Sequence, residues 1–241
     1  MKVLLYSTGL DSELYRLLED PDILLFFKSG ARYEHHEVKQ LEKFQEIGLL
    51  DNHEVIVDDT LNFKTLEQDN AIVPMRNIFY ILRALDYAED VLLGVTYYDL
   101  HYDKQPDVLG ALTAFVQNYY YFREVPESWE DVRPHIIVPY RHLTKGQLLK
   151  RAIELGKDVS HIPTLRTCYD AHSEKGCGKC KSCVAKAIAL AVNGMFSPDL
   201  FDNDPREAGI DWINFYMEEA DGNIDVDVFR SEVEQLLGHP L

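Results

Sequence analysis

The chain has 241 residues, enough for one large α/β domain or one domain with an appendage, and its 46% hydrophobic content is ordinary for a globular protein. Its apolar runs are too short to span a bilayer, and the opening Met1–Tyr6 is too short for a signal-peptide core, so a cytoplasmic protein with reduced thiols is expected. A formal net charge of −17, from 24 basic and 41 acidic residues, argues against an extended nucleic-acid surface but not against a small anion held by a few placed cations.

Residues 2–7 (KVLLYS) read as a short buried strand. A turn at Thr8-Gly9-Leu10 leads into a helix expected from Asp11 to Glu19 and stopped near Pro21. A second strand is predicted at 23–28, then a helical stretch with apolar Val38, Leu41 and Phe44, then a third strand at 54–58. Apolar residues at Ile78, Ile81, Leu82 and Leu85 predict a helix over 76–89, followed by a strand at 91–95 and a helix at 107–122. The fifth strand is expected at 135–140. Thr144 and Gln147 then form a capping-box signature for a helix running to about Leu155, with Gly156 as its stop. Short apolar runs alternating with helical periodicity signify a parallel sheet wrapped by helices.

After residue 160 the alternation ends. All four cysteines, Cys168, Cys177, Cys180 and Cys183, fall within sixteen residues, and the last three form C-G-K-C-K-S-C. Two C-x-x-C steps sharing their middle residue let thiolates converge on one tetrahedral ion, so structural Zn2+ is expected; an iron–sulfur cluster also takes four thiolates, and paired disulfides are a third use. A short Ala-rich helix is predicted from Val184 to Val192, then a connector over 197–206 and one or two amphipathic helices in the tail. Three regions are expected: 1–160 an α/β domain, 161–195 metal-binding and 196–241 a helical extension.

The loop Tyr6-Ser7-Thr8-Gly9-Leu10-Asp11-Ser12 sits between strand and helix. Backbone N–H groups, serine hydroxyls and a helix N-terminus suit an anion, and Asp11 fits if Mg2+ lies between it and phosphates. An ordinary N-capped helix uses the same residues.

The loop resembles the S-G-G-x-D-S PP-loop of the ATP-pyrophosphatase superfamily. With the cysteine cluster, the chain is similar to the 7-cyano-7-deazaguanine synthase family. Three further segments carry the likeness: Val73-Pro74-Met75-Arg76-Asn77 resembles V-P-x-R-N, Tyr102–Asp107 resembles Y-x-x-Y-P-D, and Pro139–Lys145 resembles P-L-x-x-L-T-K. The resemblance covers roughly residues 1–193. It implies a Rossmann-like (HUP-type) five-stranded parallel sheet with a C-terminal zinc subdomain. It also implies an ATP-dependent ligase acting on a small 7-deazaguanine acid and ammonia, and a homodimer. Tyr6, Ser7, Thr8, Gly9, Leu10, Asp11, Ser12, Arg76, Asn77 and Gly94 would hold ATP. Asp11, Arg76 and Lys145 would be catalytic, and Asp107 would read the guanine-like edge. Surface pairing for Arg76, a solvated helix start for Lys145 and an N-cap role for Asp107 are the ordinary alternatives.

Three departures stand out. Thr8 replaces a PP-loop glycine and is expected to fit only with φ below zero. Val108–Leu112 replaces the family's Cys-Arg-Pro-Glu-Phe, and Arg166-Thr167 replaces Trp-Ser. A PP-loop tRNA sulfurtransferase and a non-catalytic nucleotide-binding protein of the same fold are the competing functions. The first needs a reactive or cluster-bound cysteine and an RNA-binding surface. No cysteine lies outside the cluster, and the acidic balance disfavours RNA.

Overall fold

The computed structural model describes residues 1–69, 72–97, 99, 102–122, 134–219 and 226–240. Five parallel strands, β1 (Lys2–Leu5), β2 (Ile23–Phe27), β3 (Glu54–Asp58), β4 (Asp90–Leu92) and β5 (His135–Ile137), form one sheet in the order β3-β2-β1-β4-β5. The α/β class expected from the sequence is therefore the one observed. The chain builds outward from β1 to β3, then restarts on the other flank with β4. That reversal opens a crevice at the carboxyl ends of β1 and β4, where open α/β sheets bind ligands.

Alternation along each strand feeds two cores. Leu4, Leu24, Phe26 and Leu92 face α1 (Leu10–Glu19), α2 (Glu34–Glu46) and α5 (Lys145–Glu154), with Leu14, Tyr15, Leu41, Phe44, Leu148 and Leu149 packed onto them. Val3, Leu5, Ile23, Leu25, Phe27 and Val91 face the opposite way, onto Ile81 and Ala84 of α3 (Arg76–Ala84) and Leu109 of α4 (Pro106–Phe122). Burial on both faces explains why these strands are near-continuous apolar runs.

The remaining helices are α6 (Lys181–Val192), α7 (Pro205–Ala208), α8 (Ile210–Glu219) and α9 (Val226–Leu237). α6 joins the main core through Ala189 and Leu190. Its other side packs with Cys168, Cys177, Cys183, Ile213, Phe229, Val233 and Leu236 in a second cluster. The tail thus roofs the cysteine cluster. The Thr144 capping box on α5 is present as predicted, and the Thr144 hydroxyl also donates to the buried Glu232 carboxylate of α9. No helix among the described residues is long and apolar enough to cross a membrane.

Candidate functional site

The loop after β1 lies at the crevice. α1 starts without any side-chain cap, since its N-cap is Gly9, so its first-turn N–H groups lack the usual internal acceptor. Ser7 N–H donates to Ser12 Oγ (3.2 Å), and Ser12 Oγ–H donates to the Gly9 carbonyl (3.1 Å), holding the loop tight. Gly94, just past β4, permits the approach of this turn: a Cβ there would lie 3.3 Å from Asp11 Cβ and 3.4 Å from Ser12 N.

Thr8 corrects one expectation. It adopts φ 56°, the left-handed region, although a β-branched residue is disfavoured there. Its surroundings hold it. Thr8 is fully buried, and Gln40 Nε2 donates to its carbonyl at 2.7 Å. Among the described residues its Oγ1 has no partner, and neither does Asp11 Oδ1. Such conformations, costing about 1–3 kcal/mol, persist only where the surrounding structure enforces them.

Lys145, first residue of α5, pairs with Asp11 (Nζ to Oδ2, 2.6 Å). Burial pulls the Lys145 ammonium pKa down, but Asp11 and Asp99 more than offset this and the net shift is upward. Asp99 has no local sequence signal, and Lys104 lies within the Tyr102–Asp107 segment but at a position its pattern leaves open. Lys104 Nζ reaches Asp99 Oδ1 (3.1 Å) and the Gly94 carbonyl (3.1 Å), and Thr96 N–H donates to Asp99 Oδ2 (2.9 Å). Burial would raise the Asp99 pKa, yet Lys104 and Lys145 hold it well below the ordinary carboxylate range. Lys181, at the start of α6, feels the same group: burial lowers its pKa, Asp99 opposes this, and Lys145 and Lys104 add to it. Arg141 Nη2 is buried without a partner among the described residues. A chain of net charge −17 thus concentrates cations at one crevice.

Arg76 lies in a different setting from the Asp11–Lys145 pair. Its Nη1 donates to Tyr33 Oη (2.8 Å), its guanidinium sits 5.9 Å from the Tyr80 ring centroid, and Phe27 stacks on Tyr80 at 4.2 Å. The Tyr169 ring, from the cysteine loop, lies 5.5 Å from Tyr33. Glu37 stands one helical turn beyond Tyr33. Burial pushes its carboxyl up to about 8, with Arg76 pulling it down, Glu34 raising it and Arg166 lowering it. Asn77 bonds Asp103 through its backbone and side-chain nitrogens (3.0 and 2.9 Å), joining two of the resemblance segments. Asp107 is exposed in the first turn of α4, and Leu109 is buried against the sheet.

The four cysteines converge. Their sulfurs lie within 4.8 Å of one another, none is in a disulfide, and Cys168 Sγ to Cys180 Sγ is 3.9 Å. A tetrahedral ion with bonds of about 2.3 Å needs an edge of about 3.8 Å, so the set is compatible with zinc. Backbone N–H groups of Asp170 and Cys177 donate to Cys168 Sγ (3.3 Å each), and those of Lys179 and Cys180 to Cys177 Sγ (3.4 Å each), which favours thiolates. Gly178, at φ 73°, is required: a Cβ would lie 1.9 Å from the Asn203 carbonyl oxygen.

Arg166 closes this loop by donating to the carbonyls of Ser173 (2.9 Å), Cys168 (2.9 Å) and Asp170. Gln40 ties it to the first loop. Its amide donates to the Thr8 and Arg166 carbonyls (2.7 and 3.2 Å) and accepts from Arg166 N–H (2.7 Å). His36 Nε2 adds a contact to the Ala171 carbonyl at 2.8 Å.

Comparison with known proteins gives this geometry a lineage. A family model described as queuosine biosynthesis protein QueC matches residues 25–194, from within β2 to just past α6; the Ser7–Ser12 loop lies ahead of it. The 7-cyano-7-deazaguanine synthase of Psychromonas ingrahamii is 26% identical over 83% of this chain and 97% of its own length. That of Syntrophotalea carbinolica is 30% identical over 81% and 94%. That of Paramagnetospirillum magneticum is 33% identical over 52% and 56%.

Proposed function

The chain belongs to the queuosine biosynthesis protein QueC family, and on that premise we propose that it is an ATP-dependent carbon–nitrogen ligase making 7-cyano-7-deazaguanine from 7-carboxy-7-deazaguanine and ammonia. The carboxylate attacks the α-phosphorus of ATP, giving an acyl-adenylate and pyrophosphate, and ammonia displaces AMP to leave an amide. A second adenylation, on the amide oxygen, lets the nitrile form with loss of AMP and a proton. A carboxylate is a poor electrophile, and adenylation supplies the leaving group.

The observation carrying this reading is the Asp11–Lys145 pair beside an uncapped helix N-terminus at the switch point of the sheet. The N–H groups of the α1 first turn and the Ser7 and Ser12 hydroxyls hold phosphate oxygens. Lys145, with Arg141 behind it, neutralises charge developing on the departing pyrophosphate. Asp11, whose Oδ1 has no partner among the described residues, would hold a divalent cation such as Mg2+, which would supply positive charge to offset that of the phosphates. The reading assigns Arg76 and Asn77 to the organic end, where Tyr33, Tyr80 and Asp103 surround them. Zinc would cross-link the cysteine loop and take no part in the chemistry. The proposed assembly is a homodimer.

Mass spectrometry of the products from 7-carboxy-7-deazaguanine, ammonium and ATP tests this. The nitrile mass, with AMP and pyrophosphate, is expected. An amide that never proceeds restricts the enzyme to the first half of the reaction, and unchanged acid refutes the proposal.

A further inference from the structure

Asp107 in the first turn of α4 is exposed, Val108–Leu112 behind it is apolar, and Leu109 is buried in the core, so a second acceptor for the donors of a polar heterocycle is sought elsewhere. One place in the crevice supplies acceptors and aromatic faces together. Tyr33 is the N-cap of α2 and Glu37 lies one turn into the helix, four residues on. Arg76 is anchored on Tyr33 Oη and lies within electrostatic reach of Glu37. Tyr80, fixed by stacking on Phe27, makes one wall, and Tyr169, held against Tyr33 by the cysteine loop, makes the other. Gln40, three residues beyond Glu37 on α2, donates to the Thr8 carbonyl, so this place adjoins the phosphate end.

We propose that Glu37 and Arg76 form an edge-reading pair for a 2-amino-6-oxo heterocycle, with Tyr80 and Tyr169 as its aromatic walls. Such a ring presents a carbonyl oxygen, a ring N–H and an amino group in a row. A carboxylate accepts the two N–H donors, and a neighbouring guanidinium donates to the carbonyl. No hydrogen bond to Glu37 forms within the described protein, which leaves both its oxygens for a ligand. Glu37 is half-buried, and a ligand that brings two N–H donors favours its carboxylate form. A 6-amino ring reverses the pattern, presenting a donor to Arg76 and an acceptor to Glu37.

This inference deepens the proposed function and takes from it the identity of the ring. Its test needs neither ATP nor turnover. Titration calorimetry with 7-deazaguanine and 7-deazaadenine compares wild type, Glu37→Gln and the exposed control Glu42→Gln on the same helix. Wild type and Glu42→Gln should bind 7-deazaguanine about 100-fold more tightly than 7-deazaadenine, and Glu37→Gln should lose roughly 10- to 100-fold for 7-deazaguanine alone. Equal binding of the two bases by wild type, binding of neither, or an unaltered Glu37→Gln would each overturn the assignment. The wild-type comparison stands even if a variant folds poorly. If base discrimination holds while the product assay fails, the reaction is wrong and the subsite stands. The converse sinks the subsite alone.

Discussion

The two ends of the crevice solve opposite problems. At the Asp11 end, cations and carboxylates are already matched: Lys145 with Asp11, Lys104 with Asp99. An incoming polyanion there finds charges held in place by partners. At the Tyr33 end, Arg76 is surrounded by tyrosine oxygens and ring faces, and Glu37 has no bonded donor. That end suits a flat, largely neutral molecule with a few polar atoms at its rim. One fold provides both because β1 and β2 end side by side, and α1 and α2 each rise from one of them.

Substitutions can separate the ends. The largest effect is expected from Asp11→Asn, which should lower AMP formation by about 10²- to 10³-fold while leaving 7-deazaguanine affinity intact. If AMP still forms at the wild-type rate, the loop does not handle phosphates. Cys180→Ser should lower the melting temperature by about 10 °C and remove bound zinc, about one per chain in the parent. Because Tyr169 and Arg166 hang on the same loop, it should also weaken base binding; an unmoved transition would show that the cluster is not a structural metal site.

A smaller effect separates the ends by pH. The folded-state pKa of Glu37 is pushed up to about 8 from an ordinary 4.5, first by burial, against Arg76 and Arg166 and with Glu34. Across that window the folded protein keeps a proton that the unfolded chain has lost, so stability falls as pH rises. Glu37→Gln removes this fall, and its melting-temperature advantage over wild type should grow from pH 5 to pH 8. A constant difference would place the carboxyl in water. The smallest effect is Thr8→Gly, expected to stabilise by about 1 kcal/mol or less in chemical denaturation, because relief of the left-handed threonine is partly cancelled by glycine's extra unfolded-state freedom. Destabilisation would mean that the threonine side chain contributes packing beyond its strain.

Periodicity located all five strands and the helices around them, yet several boundaries overran. β1 was expected to reach residue 7 and β4 residue 95, but the ladders stop at Leu5 and Leu92. Tyr6 and Leu93 each donate one more backbone bond, to Leu25 and Ile137, and Val95 is buried beyond the sheet, because apolar runs report burial as well as pairing. α3 ends at Ala84, and residues 85–88 continue as turns bonded back to Ile81, Arg83 and Ala84. α6 begins three residues earlier than expected. Its first turn is Lys181-Ser182-Cys183, polar and ligand-bearing, so no apolar stripe announces it. At the site, local signals exposed the loop, Lys145 and the four cysteines. Asp99, Glu37, Gln40 and Tyr169 carried none, since their roles rest on tertiary juxtaposition; the two Gln40 contacts span 32 and 126 residues.

That single glutamine has a practical consequence for protein engineering. Its amide is saturated only when Thr8 and Arg166 are both present, so the amino-terminal part of the chain expressed alone would leave half of it without protein partners. Because all these bonds go to backbone groups, a chimera that transplants a cysteine lobe from one relative into another can keep them whichever residue stands at position 166, provided that glutamine stays at position 40.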